Sequence, residues 1–286
     1  MEIKSIPEII KEMDTLSKEE KYDEAYEFAK ENINLNKEYI EGEYVFKNLL
    51  EELLFQVTIN GEIKRKYPLI LDYSTLYSNY GNVLLHFNQY DDALKSFKLA
   101  NSYNPVNLKS IFGLCEIYRK NNDWDEYYSL TIQSFKYAYT VNDLAKSFRN
   151  LSLYYLNEYK ESHDAENIKL AIYLNELSKF YNDDSIESNM FLEYLNALSV
   201  DEDTINEYSS KSIDDIKNYL KSKGLPYSPS VEVITICKNL GFQLDESKKV
   251  VPALFYFNIA YDLTNDPAIK DVIDDLNTKV ERKLNE

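Results

Sequence analysis

The stretch YSNYGNVLLHFNQYDDALKSFKLA, Tyr77 to Ala100, decides how the rest of the chain is read. Its apolar residues recur at three- and four-residue intervals, the spacing of amphipathic helices. Yet Gly81 sits inside the first of these helices, where glycine costs about 1 kcal/mol relative to alanine. The chain has only six glycines in 286 residues, so this one is not filler. Copies of the same pattern explain it. Tyr77, Tyr80, Gly81 and Leu84 recur as Ile111, Leu114, Cys115 and Tyr118, a shift of 34 (111 − 77 = 34). Asn88, Tyr90, Asp91 and Asp92 recur as Asn122, Trp124, Asp125 and Glu126 at the same shift. A third copy follows 37 residues on, with Phe148, Leu151, Ser152 and Tyr155. The slot of Gly81 therefore holds Cys115 and Ser152, always small beside bulky neighbours. A slot kept small in this way marks close approach of two helices, with Ala93 in the reciprocal role on the second helix.

A period of 34 residues with this pattern resembles the tetratricopeptide repeat. Tyr77, Gly81, Ala93, Phe97, Ala100 and Pro105 match its aromatic, small and proline positions, with Tyr80 and Leu84 as apolar variants. The second copy departs at Tyr127 and Thr131, where the family has alanine and an aromatic. The third carries an insertion, KESHDAEN, before a second helix with Ala171 and Ser178. ALFYFNIA at 253–260 repeats ALKSFKLA at 93–100, and KYDEAYEFA at 21–29 is similar to a turn and second helix. The resemblance implies an all-α solenoid, an α-α superhelix of antiparallel helix pairs with a concave groove lined by first helices. Each pair needs a neighbour to bury its apolar face.

Outward from that array, the periodicity predicts helices near 6–16, 19–33, 38–59, 70–87, 90–103, 106–120, 123–139, 142–158, 165–181, 185–199, 203–222, 230–242, 248–264 and 267–284. Residues 1–66 form N-terminal helices with a degenerate repeat, 67–200 the repeat array, and 201–286 an irregular segment followed by a repeat-like pair and a capping helix. All are expected to belong to one continuous solenoid. KSKGLPYSPS at 221–230 is the clearest linker, and 201–229 fits no repeat slot. Thirteen Gly plus Pro residues (6 + 7) are too few for the turns of an all-β fold.

Composition narrows the function. The formal net charge is −17, a field that repels nucleic-acid backbones and anionic lipid. Residues 1–66 hold 10 Lys/Arg against 16 Asp/Glu, which argues against an N-terminal DNA reader. Two isolated cysteines, Cys115 and Cys237, fit a reducing cytoplasm. The opening MEIKSIPEIIKEMD lacks a basic region followed by an apolar run, so no signal peptide is expected. The longest apolar run, VVPALFYF at 250–257, is too short to span a bilayer.

No catalytic constellation stands out. His86 and His163 have no partner at metal-ligand spacing. No phosphate-binding glycine loop, nucleophile elbow or zinc-binding HExxH motif occurs. Cys115 occupies a packing slot, and acid pairs such as Asp91-Asp92, Asp183-Asp184 and Asp274-Asp275 read as turn and helix-start residues. One feature rises above this background. Residues 105–150 carry six basic and five acidic side chains, a net +1 (6 − 5) that leaves −18 elsewhere. Lys109, Arg119, Lys146 and Arg149 fall on faces that the family turns toward its groove, and Asn82 and Phe112 are expected beside them. Of the family's five-residue carboxylate clamp only Asn82 and Lys146 match; Ser78, Gly113 and Asn150 replace a Lys, an Asn and an Arg.

The expectation is a cytoplasmic, non-enzymatic scaffold or adaptor, without cofactor or metal. It holds a protein or peptide, acidic or ending in a carboxylate, in the groove at Asn82, Lys109, Phe112, Arg119, Lys146 and Arg149. The alternatives are a peptide-sensing regulator without its own DNA-binding domain and, further off, an enzyme on an α-helical toroid.

Overall fold

A computed structural model of the chain describes residues 4–284. The first three residues of the N-terminal segment and the last two of the expected capping region lie outside that range. Among the described residues are fifteen α-helices and one pair of two-residue strands, so the chain is all-α. It divides into two compact units, one ending at Leu130 and one beginning at Thr131. The division falls inside the array expected over 67–200.

The first unit holds α1 (Ile6–Lys18), α2 (Tyr22–Asn32), α3 (Leu49–Thr58), α4 (Tyr73–His86), α5 (Tyr90–Tyr103) and α6 (Leu108–Lys120). Helix α7 (Trp124–Phe135) crosses the division. The second unit holds α8 (Val141–Ser162), α9 (Ala165–Tyr181), α10 (Ser185–Ala197), α11 (Glu202–Ser209), α12 (Ile213–Ser222), α13 (Val231–Glu246), α14 (Val250–Thr264) and α15 (Pro267–Leu284). Packing is pairwise and sequential. In the first unit α1 lies on α2 and α4, and α4 on α5 and α6; in the second, α8 lies on α9, α13 on α14 and α14 on α15.

The pairs are closed by one recurrent turn. Glu20, Asn88, Asn122 and Lys248 each take positive φ, between 56° and 62°. The next residue then donates its N–H to a carbonyl five residues back: Lys21 to Leu16, Gln89 to Leu84, Asp123 to Tyr118 and Lys249 to Leu244, at 2.8–2.9 Å. This is the left-handed helix stop that satisfies otherwise orphaned carbonyls, and asparagine adopts it at least cost among non-glycine residues.

The small slot at Gly81 marks a close helix contact, but its neighbour is the Phe97 ring and not Ala93, which was expected in the reciprocal role. Phe97 of α5 is completely buried, and a Cβ added at Gly81 would lie 2.7 Å from its ring. Gly113 of α6 meets the same ring from the next pair, at 2.2 Å. The second unit repeats the contact: a Cβ at Gly241 of α13 would lie 2.7 Å from Phe257 of α14. Gly81 and Gly241 are 160 residues apart, as are Phe97 and Phe257. Ala93, Ala100, Ala253 and Ala260 are likewise fully buried. Ser152, in the third copy's small slot, donates its hydroxyl to the carbonyl of Ala171 at 2.7 Å, joining α8 to α9. The buried thiols Cys115 and Cys237 are packing residues, and burial pushes the Cys237 thiol up to about 12.

Four expectations need correction. The single helix over 38–59 is instead extended chain followed by α3. Gly42 sits at φ +91°, strand β1 (Glu43–Tyr44) pairs in parallel with β2 (Arg65–Lys66), and the Val45 N–H donates to the Tyr103 carbonyl at 2.9 Å. Tertiary aromatic packing overrides the helical period here, with Tyr44 and Phe46 both against Phe55. The helix over 203–222 is broken at Ser210–Ser212, because Ser212 caps α12 by accepting the Asp215 N–H at 3.1 Å. Both halves, α11 and α12, lie on α9. The KESHDAEN insertion is absorbed by lengthening α8 to Ser162, and His163 makes the left-handed turn at φ 54°. Asp274 and Asp275 are not at a helix start. They lie within α15 and pair with Lys270 and Lys279 at 2.9 and 3.0 Å.

The irregular segment of the first unit is tied down by a buried polar network. Glu51, only 2% exposed, accepts from the Lys47 N–H and from the Asn104 side-chain amide, both at 2.8 Å. Asn107 donates to the Ser74 hydroxyl at 2.7 Å, and Ser74 donates to the Ala100 carbonyl at 2.9 Å. The asparagines of the Asn104-Pro105 turn thus join α3, α4, α5 and α6.

Candidate functional site

Helix α4 is buried on most of its circumference, which leaves a narrow polar stripe. Asn79, Asn82 and His86 follow one another at i, i+3 and i+7, so they share a face. Helix α1 brings Asp14 and Ser17 to that face, α2 brings Tyr22, and the first turn of α6 brings Lys109. Together with Val83 and Leu85 these residues line an open cleft of ≈ 370 Å³.

A chain of hydrogen bonds crosses the cleft floor. Asn79, 5% exposed, donates its amide to the Asp14 carboxylate at 2.7 Å. Its oxygen accepts from the Lys109 ammonium. Three first helices are thereby joined through one buried amide. The Lys109 residue is exposed as a whole, but its ammonium is turned inward and surrounded by protein. Burial holds its pKa below the usual lysine range, while the charge of Asp14 opposes that shift. A lysine has three donors. Asn79 takes one, and among the described residues no other acceptor bonds the Lys109 Nζ. Asn82 is exposed, and among the described residues its amide has no hydrogen-bond partner. Tyr22 and His86 stack face to face at 3.8 Å and 15°, forming an aromatic wall.

The six residues expected at the site are distributed as follows. Asn82 and Lys109 lie in this cleft. Phe112 is 7% exposed and belongs to the packed side of α6. Arg119 donates two hydrogen bonds to Glu116, at 2.9 and 2.6 Å. It lies ten residues beyond Lys109, roughly 15 Å along the helix. Lys146 and Arg149 are on α8 in the second unit; Lys146 is exposed, and Arg149 donates to the Ser178 hydroxyl at 3.0 Å. Two positions of the carboxylate clamp serve packing: Ser78 is buried beside Asn107, and Gly113 lies against Phe97.

Sequence reasoning missed Asp14, Asn79, Tyr22 and the wall formed by His86. The i, i+3, i+7 polar stripe on α4 was a legible signal for two of them. Asp14 and Tyr22 carried none, because only the seating of α1 and α2 against α4 brings them in.

Among the described residues, no group of three His, Cys, Asp or Glu side chains is placed to hold a metal ion. No helix among them is long and apolar enough to cross a membrane. No family model matches the chain, and no curated protein matches it significantly.

Proposed function

We propose that this chain is a non-enzymatic, cytoplasmic scaffold or adaptor of tetratricopeptide-repeat type, which holds a protein or peptide segment on the face shared by α1, α4 and α6. The observation that carries this reading is the Asp14–Asn79–Lys109 chain with an unengaged amide, Asn82, beside it. The buried Asn79 fixes the ammonium, so little side-chain entropy is lost when a ligand arrives. Lys109 then offers two donors to an acidic side chain or a C-terminal carboxylate. Asn82 offers a donor and an acceptor, the pairing that a peptide unit satisfies. An incoming carboxylate also compensates a partly desolvated ammonium. Such a charge-assisted bond contributes roughly 1.5–3 kcal/mol.

The test is selection from a peptide library with free C-termini, followed by titration of the selected sequences into wild type, Lys109→Met and Asn82→Ala. Lys109→Met should weaken binding by roughly 10- to 100-fold, and amidation of the peptide should reproduce that loss for C-terminal ligands. Equal affinity for wild type and both variants would remove the cleft from consideration.

A further inference from the structure

The second unit carries a different surface. Residues 180–210 contain eight Asp/Glu and no Lys, Arg or His, almost half of the chain's net −17 in 31 residues. The same segment exposes large apolar side chains: Phe180 at 47%, Ile186 at 71%, Met190 at 45% and Tyr194 at 40%. Ile186, Met190 and Tyr194 follow at i, i+4 and i+8 on α10, a stripe about 12 Å long. Glu193, seven residues from Ile186, falls on the same face, and Glu187 flanks it. The opposite face of α10 is anchored by the fully buried Leu195. Among the described residues none of the eight carboxylates forms an ion pair. On α9, just before α10, the Phe180 ring centroid lies 4.7 Å from the Lys217 ammonium of α12.

We infer that the exposed face of α10 is a docking surface for a cationic amphipathic segment of a partner protein. Apolar side chains of that segment cover Ile186, Met190 and Tyr194, and its Lys or Arg residues meet Glu187, Glu193 and Asp183. Charge selects the occupant. An apolar stripe alone would accept any amphipathic helix, but unpaired carboxylates at and beside it reject acidic segments and anionic lipid and attract basic ones. A second copy of this chain, itself at −17, is repelled. This surface shares no residue with the α1–α4–α6 cleft.

The test uses the full chain and a fluorescent 14-residue peptide of Leu and Lys in amphipathic helical order, titrated by anisotropy at physiological salt. A scrambled peptide of the same composition is the reference. Three double variants are compared with wild type: Glu187→Lys with Glu193→Lys, Ile186→Ser with Met190→Ser, and Glu24→Lys with Glu27→Lys on α2 of the first unit. The first two should each weaken binding by roughly tenfold or more, the third by no more than about twofold, and the scrambled peptide should bind weakly. Amide shifts on labelled wild type should concentrate in 180–197, a readout independent of how any variant folds. Equal loss in the α2 variant, equal binding of the scrambled peptide, or shifts elsewhere would overturn the proposal. So would a concentration-dependent dimer, seen by sedimentation without peptide and abolished by the serine variant, which would assign the face to a second copy.

Discussion

Replacing Gly113 by alanine should destabilise the first unit, although alanine is the better helix former. The propensity gain inside α6 is about 1 kcal/mol. Against it stands the Phe97 ring. A Cβ at position 113 would lie 2.2, 2.4 and 2.5 Å from three of its carbons, well inside any tolerable contact. The ring is completely buried, with Gly81 against it from α4, so it has no free volume to enter. Overpacking of this kind costs typically 1–3 kcal/mol, and the shortness of the contact places it at the upper end. The net is a loss of about 2 kcal/mol, or roughly 5–10 °C in the melting midpoint of a cooperative unit of this size. Phe97→Leu removes the ring and should itself destabilise. In that background Gly113→Ala should become neutral or stabilising, which gives a coupling of about 1–3 kcal/mol in the double-mutant cycle. The assay is urea and thermal unfolding of the four proteins followed by far-ultraviolet circular dichroism. If Gly113→Ala alone raises the midpoint, or the cycle shows no coupling, then the aromatic ring is not wedged between two helices and the reasoning about small slots fails. Gly241→Ala probes the equivalent contact with Phe257 in the second unit, at the milder distance of 2.7 Å, and should cost less.

Glu51→Leu strands the Asn104 amide and the Lys47 N–H without their acceptor, and should cost about 2–3 kcal/mol. Hydrogen exchange should quicken across 33–72 first, while α13–α15 keep their protection. Alkaline stability should be governed by buried phenols. Burial pushes Tyr80 and Tyr103 up to about 12. An unfolded chain ionises its tyrosines near 10, so the folded state retains protons that the unfolded state releases. The stabilisation is complete below about pH 10 and is lost as pH rises from there through 12. Urea midpoints at pH 8, 10 and 11 should fall in that order, and Tyr103→Phe should make the fall shallower; a flat profile would contradict the burial of these hydroxyls.

The repeat was legible because it rests on local rules. A 3.6-residue period, a small residue at a fixed slot and an Asn at the turn are each read from a few neighbouring positions, and the copies reinforce one another. Gly81, Ala93, Phe97 and Asn88 therefore announced a helix pair, and Ala253, Phe257 and Ala260 announced another. The partner of Gly113 was not legible. It sits in a first helix, and only the stacking of successive pairs brings it to the ring already held by Gly81. The segment 38–59 misled for a related reason. Its apolar residues satisfy a helical period, but the Val45 N–H bonds the Tyr103 carbonyl 58 residues on (103 − 45 = 58) and β1 pairs with β2, and with the packing of Tyr44 and Phe46 on Phe55 these contacts outweigh local propensity. The same distinction governs the site. Sequence marked Asn82 and Lys109 as groove residues by their slots. The tertiary structure alone brought Asp14 and the buried Asn79 beside them, because an ammonium drawn inward needs an acceptor, and the one it bonds lies on a helix thirty residues earlier.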